Sequence, residues 1–203
     1  MIWALINDLL QRLVTFNKGP QRRHLSLLLT GLRLARGRRA LDFGCGTALF
    51  APVFTKHGLH YHGYDIDPRL LRYAARLYPE CAFVSRAEDL SRAAPFDLIV
   101  ANCCFHHIHD EPLAAEVARV RDLLADDGVF LLIDLANDGA APWLKRTLLK
   151  LDQGVNMRSS AGYRQLLESA FVIDQQTVWP QPFGPWGTNP LVLDLVIFQC
   201  RKK

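Results

Sequence analysis

The chain has 203 residues, half of them hydrophobic and 22% charged, with a formal net charge of +4. This is ordinary for a soluble globular protein and fits one domain with a full-sized core, with or without a short appendage. The Arg and Lys residues are dispersed rather than clustered, so the mild basicity is no nucleic-acid footprint; it leaves room for an anionic substrate or an acidic lipid surface. Five cysteines without a CxxC pair argue against a disulfide framework or structural zinc and for a reducing cytoplasm. The first residues lack the basic start of a signal peptide, and no apolar run approaches the length of a membrane span.

Ile2, Leu5, Ile6, Leu9, Leu10 and Leu13 recur at helical spacing, and Asn17 to Pro20 break the pattern. A second helix is expected from Gln21 to Ala35, closed by Arg36-Gly37. Strand and helix signals then alternate. Strands are expected at Arg39 to Phe43, Leu59 to Tyr64, Cys81 to Ser85, Phe96 to Ala101 and Gly128 to Leu135. Helices are expected at Thr47 to His57, from Asp67-Pro68 to Leu77, and from Pro112 to Ala125, the last stopped by Asp126-Asp127-Gly128. The alternation predicts a parallel sheet covered by helices on both faces. Further on, Trp143 to Leu151 and Ala161 to Ser169 read as helices. Phe171 to Trp179 and Leu191 to Cys200 read as strands with no helix between them. Such a pair must run antiparallel, because a parallel pair needs a long crossover.

The segment Leu41 to Ala48 (LDFGCGTA) follows the first strand, and its Gly44 and Gly46 permit a sharp turn and close approach of a ligand to the main chain. The second strand ends in Gly63-Tyr64-Asp65, where an acid can accept hydrogen bonds from both ribose hydroxyls of an adenosine. A dinucleotide fingerprint would carry a third glycine; here Gly46 is followed by Thr47-Ala48-Leu49. Asp42, just before the turn, would repel a pyrophosphate but suits a cationic sulfonium with an ammonium group. A nicotinamide-dependent oxidoreductase is the disfavoured alternative on both counts.

LDFGCGTA resembles motif I of class I S-adenosylmethionine-dependent methyltransferases, and Gly63 to Asp67 (GYDID) resembles their second acidic motif. Ala87 to Leu90 (AEDL) is similar to the adenine-contacting stretch. Phe96 to Asp110 resembles the fourth-strand motif, with its recurring double histidine. Asp122 to Asp134 resembles the glycine turn and fifth strand. The matches run in order from Ala40 to Asp134, and the chain is similar to the small ubiquinone- and menaquinone-type methyltransferases. The resemblance implies a Rossmann-like, doubly wound seven-stranded sheet, mostly parallel with an antiparallel C-terminal hairpin. It further implies one domain over 1–203: helical flank 1–37, cofactor core 38–135, substrate-side helices and hairpin 136–203. It places contacts to S-adenosylmethionine, and to the product S-adenosylhomocysteine, at Asp42, Phe43, Gly44, Cys45, Gly46, Thr47, Asp65, Ile66, Ala87, Glu88, Asn102 and His107. The family often has Asp before the Ala of the adenine stretch. Arg86 stands there instead, which shifts adenine recognition to the backbone near Ala87, to Glu88 or to a different arrangement.

His106 and His107 lie just past the fourth strand, at the edge where this fold binds ligands, and with Tyr163 are the candidates for proton transfer. The Cys103 to Asp110 run has zinc-binding residue types, but adjacent residues of an extended segment point apart, so no metal is expected. Trp179, Phe183 and Trp186, on a loop leaving the same edge, and Arg158 and Tyr163 before it, are the candidate substrate contacts. No Asn/Asp-Pro-Pro-Tyr/Phe motif follows the fourth strand, where Asn102-Cys103-Cys104-Phe105 stands instead. By resemblance this argues against methylation of nucleic-acid bases or glutamine and for a small-molecule or lipid acceptor. The N-terminal helix, with Trp3 and nearby Arg12, Lys18, Arg22 and Arg23, reads as a lid or flank and also permits peripheral membrane contact. A non-catalytic cofactor- or protein-binding module of the same fold is the remaining alternative.

Overall fold

The computed structural model describes residues 19–138, 156–181 and 193–203. A helix, α1 (Gly19–Leu32), precedes the strands and helices β1 (Arg39–Phe43), α2 (Ala51–Lys56), β2 (His60–Tyr64), α3 (Pro68–Leu77), β3 (Ala82–Val84), α4 (Ala87–Ala93) and β4 (Phe96–Asn102). A 3₁₀ turn (Phe105–His107) follows, then α5 (Asp110–Leu123), β5 (Leu124–Leu135), α6 (Ser160–Glu168), β6 (Phe171–Gln181) and β7 (Leu193–Lys202). The seven strands form one sheet in the order β3-β2-β1-β4-β5-β7-β6. The first five run parallel, and β7 lies antiparallel to both β5 and β6. β6 therefore points the same way as β5, as expected of a hairpin without a crossover helix.

Strand alternation splits the core in two. Leu41, Phe43, Ile99, Ala101, Phe130 and Leu132 face one side, packing with Val117 and Val120 of α5 and Tyr163 and Leu167 of α6. Ala40, Leu98, Val100, Leu131, Ile133 and Leu135 face the other, packing with Leu25 and Leu29 of α1 and Val53 and Phe54 of α2. Both faces of β4 and β5 are thus covered, which is why these strands read as continuous apolar runs rather than alternating ones.

Three boundaries differ from the sequence expectation. The helix expected from Thr47 is a turn until Ala51, because Ala48 has φ +58 and cannot belong to a right-handed helix. α5 begins at Asp110 and ends at Leu123; the expected stop at Asp126 to Gly128 is instead extended chain within β5, absorbed by a register shift opposite Phe96 and Leu98. α1 ends at Leu32, where Arg33 takes φ 51 and donates its N–H to the Thr30 carbonyl. The N-terminal stripe of Ile2 to Leu13 and the Trp143 to Leu151 helix lie outside the described residues. Among the described residues no helix is long and apolar enough to cross a membrane.

Arg33 occupies the left-handed C′ position that favours glycine. Arg33→Gly, at an exposed site, is therefore expected to raise unfolding stability by roughly 0.5–1 kcal/mol in urea denaturation; an unchanged or lower midpoint would show that the conformation is unstrained.

Candidate active site

The turn after β1 is pinned to the tip of β2. Gly44 and Cys45 both donate their N–H groups to the Tyr64 carbonyl, at 2.8 and 2.9 Å. Gly44 (φ +76) and Gly46 (φ +55) take conformations that disfavour side chains. At Gly44 a Cβ would also collide with Cys104 Sγ and sit 2.8 Å from Cys104 Cβ. Glycine is needed there because the chain after β4 passes directly over the turn. From the other side, Arg22 of α1 donates through Nε and Nη2 to the Leu49 carbonyl, at 2.9 and 2.6 Å.

Two carboxylates flank this turn. Asp42 is buried and accepts a hydrogen bond from Tyr61 Oη at 2.8 Å. Desolvation dominates and pushes its carboxyl up to about 7, against the opposing pull of the Tyr61 bond; the nearby Asp65 charge adds to the rise. Asp65, just past β2, accepts from Gly46 N at 2.8 Å and Asp67 N at 2.9 Å. Burial raises its carboxyl too, while those amides and the nearby His107 favour its ionised form. Asp67 separately caps α3 through Arg69 N at 2.8 Å, with Pro68 as first helical residue. Next to Asp65, Ile66 is 81% exposed, a large apolar side chain held in solvent at the lip of the site. Arg86 precedes α4 with its side chain exposed and paired at 3.5 Å with Glu88, itself exposed in the first turn; Ala87 begins the helix.

The 3₁₀ turn carrying the histidines is gripped at both ends. Asp134, fully buried near the end of β5, accepts from Phe105 N (2.8 Å), His106 N (3.2 Å), His106 Nδ1 (2.5 Å) and Leu135 N (2.8 Å). Arg158 donates through Nη1 to Phe105 O (3.1 Å) and through Nη2 to Ile108 O (2.8 Å) and Asp110 (2.5 Å). A carboxylate thus takes the amide end and a guanidinium the carbonyl end. His106 is buried, and His107 packs against it, exposed, with ring centroids 4.0 Å apart.

The expected site residues sort accordingly. Asp42, Phe43, Gly44, Cys45, Gly46, Thr47, Asp65, Ile66, Asn102 and His107 gather at the C-terminal edge of β1, β2 and β4. Phe43 and Thr47 are buried beneath it, and burial pushes the half-buried Cys45 thiol well above its ordinary value. Tyr163 is enclosed in the core, and desolvation drives its phenol far up. Trp179 stacks on His24 of α1. Phe183 and Trp186 lie outside the described residues. Asp134 and Tyr61 were not singled out in the sequence. An acid ending an otherwise apolar strand was the available signal for Asp134, as it was for Asp42. Among the described residues no group of three or more His, Cys, Asp or Glu side chains is arranged to hold a metal ion.

A family model described as a methyltransferase domain matches residues 6–170, and the chain belongs to that family. A ribosomal protein L11 methyltransferase of Thermus thermophilus is 30% identical over 151 residues, covering 72% of this chain and 53% of its own. A protein of the same name from Cupriavidus pinatubonensis is 31% identical over 132 residues, covering 60% and 42%. The chain therefore spans about half the length of these curated relatives. Among solved structures, the 1,6-didemethyltoxoflavin-N1-methyltransferase of Burkholderia thailandensis, with bound S-adenosylhomocysteine, superposes with TM-score 0.67 at 21% identity, covering 100% of this chain and 88% of that one. The cyclopropane synthase MmaA2 of Mycobacterium tuberculosis superposes at 0.72 with 16% identity, covering 90% and 84%. These structural likenesses establish a shared fold.

Asp134→Asn keeps the shape but replaces an acceptor oxygen by a donor that faces other donors. It is expected to destabilise the protein by about 3 kcal/mol in urea unfolding; a loss below about 1 kcal/mol would show that the clamp is not needed for the fold.

Proposed function

We propose that the protein is an S-adenosylmethionine-dependent methyltransferase acting on a small-molecule or lipid acceptor and releasing S-adenosylhomocysteine. The observation that carries this reading is the pair of desolvated carboxylates, Asp42 and Asp65, on either side of the glycine turn. Burying Asp42 with one phenol donor costs free energy that an incoming cation offsets, whereas a pyrophosphate would increase it. Asp65 keeps acceptor capacity beyond its two amide bonds for the ribose hydroxyls. Ile66 gives the adenine an apolar platform, beside the backbone at Ala87. The solvent-directed Arg86 leaves that side open.

The cofactor supplies an electrophilic methyl group on a sulfonium, so the protein has mainly to align the acceptor and exclude water, and alignment can contribute roughly 7–11 kcal/mol. Where the acceptor must lose a proton, we assign the contact to His107, the exposed member of the histidine pair. His106 and Asp134 position it: the Nδ1 bond to Asp134 fixes the His106 ring against which His107 packs. The names of the curated relatives favour a protein acceptor as a second reading. Transfer of labelled methyl from S-adenosylmethionine separates the two, since product extracted into organic solvent supports the first and label retained on protein the second. No transfer to any acceptor despite cofactor binding would leave a non-catalytic module.

The Asp42 carboxyl gives this reading a pH signature. A cationic ligand binds the carboxylate form, so S-adenosylmethionine affinity should rise as pH increases through about 7 and level off above it. The rise should be smaller for S-adenosylhomocysteine, which lacks the sulfonium charge. Asp42→Asn should flatten the profile. The same shift acts oppositely on the free protein. The folded state holds this proton more tightly than the unfolded chain, so stability falls as pH rises from about 3.8 towards 7. Asp42→Asn should therefore melt higher than the wild type at pH 8 while binding cofactor more weakly. A pH-independent affinity, or a variant that melts lower at pH 8, would contradict the role given to Asp42.

A further inference from the structure

On the α1 side of the ligand edge lies a cleft of about 440 Å³ lined by Gly19, Pro20, Arg23, His24, Leu27 and Trp179, a volume in the range of small-molecule sites. Sheet register fixes its position. Trp179 of β6 pairs with Leu195 of β7, which pairs with Leu135 of β5. Residues opposite one another share a face, so Trp179 stands on the same face as Leu135, the last residue of β5, two strands away or about 10 Å. The opposite wall is α1, the helix whose Arg22 holds the Leu49 carbonyl of the glycine turn. Cleft and cofactor turn are thus built on one helix.

The lining has a definite chemistry. Trp179 and His24 are stacked face to face, 6° apart with centroids at 4.2 Å, which holds the indole in place at the side of the cleft. Leu27, 69% exposed, and Pro20 supply an apolar border. Arg23 is exposed and makes no ion pair or hydrogen bond among the described residues. His24 Nε2 is shielded from solvent without a hydrogen-bond partner among them. An indole fixed at the side of the cleft and a guanidinium that pairs with no described residue together recognise an aromatic ring with an anionic substituent: the ring packs on Trp179 and the anion meets Arg23. An acyl chain would use the apolar border but gain no ring contact with Trp179.

We propose that this cleft is the acceptor subsite and that it takes a planar aromatic anion, such as a fused-ring carboxylate or phenolate. The proposal rests on the methyltransferase reading above and narrows its acceptor class.

The test titrates protein saturated with S-adenosylhomocysteine with 2-naphthoate, with the neutral 2-naphthylmethanol and with decanoate, by calorimetry. The expected result is sub-millimolar binding of 2-naphthoate, with the other two at least about fivefold weaker. Arg23→Gln, an exposed substitution that leaves the fold intact, should weaken 2-naphthoate about tenfold and leave 2-naphthylmethanol unchanged. Trp179→Ala should weaken both aromatic probes, with S-adenosylhomocysteine affinity retained as the control for folding. No binding of 2-naphthoate to the saturated protein, tighter binding of decanoate, or binding indifferent to Arg23→Gln would overturn the proposal. Failure of S-adenosylhomocysteine itself to bind would instead overturn the methyltransferase reading. In that event the naphthoate titration of the free protein still decides whether the cleft binds planar anions.

Discussion

The C-terminal edge of the parallel strands depends on how buried carboxylates at strand ends are satisfied. Asp134 and Asp42 occupy equivalent places, each one residue before the end of an apolar strand, and both are shielded from water. Asp134 accepts four hydrogen bonds from the histidine turn and its own strand, so its charge is spent on structure. Asp42 has one phenol donor, Tyr61, and its carboxyl is driven up to about 7. A saturated carboxylate organises a fold; an under-satisfied one is a site that wants a cation. In the proposed reading, the difference between these two acids is the difference between scaffold and function at this edge.

The histidine turn links the two. Held by Asp134 at its amides and by Arg158 at its carbonyls, it fixes Cys104 over Gly44 and so closes the glycine turn from above. Arg22 supports the same turn from α1. Arg22 thus holds the glycine turn directly, while Asp134 and Arg158 hold the histidine turn that lies over it. That arrangement explains why an alanine-sized side chain at Gly44 cannot be absorbed: its neighbour is not a flexible surface group but a segment clamped at both ends.

Much of this was legible in the sequence. The βα alternation, the antiparallel end of the sheet and the glycine turn with its two acids follow from residue patterning alone, because strands buried on both faces and a turn needing positive φ leave few other sequences possible. The helix boundaries at Ala51 and Leu123 were not legible, since they depend on the left-handed Ala48 and on a register shift opposite Phe96 that no local propensity records. The hold of Arg158 on the histidine turn was not legible, since it depends on contacts across 48 to 53 residues. The α1 wall of the cleft was equally hidden, because only the sheet register brings Trp179 to His24.

The most direct test of the central claim is calorimetric titration of the wild-type protein and of Asp65→Ala with S-adenosylmethionine, with NADH as the competing nucleotide. Binding of S-adenosylmethionine in the micromolar range, weakened at least about tenfold in the variant, with no heat from NADH, is the predicted result. Absence of S-adenosylmethionine binding, or binding of NADH in its place, would contradict the assignment of the carboxylate-flanked turn to a sulfonium cofactor.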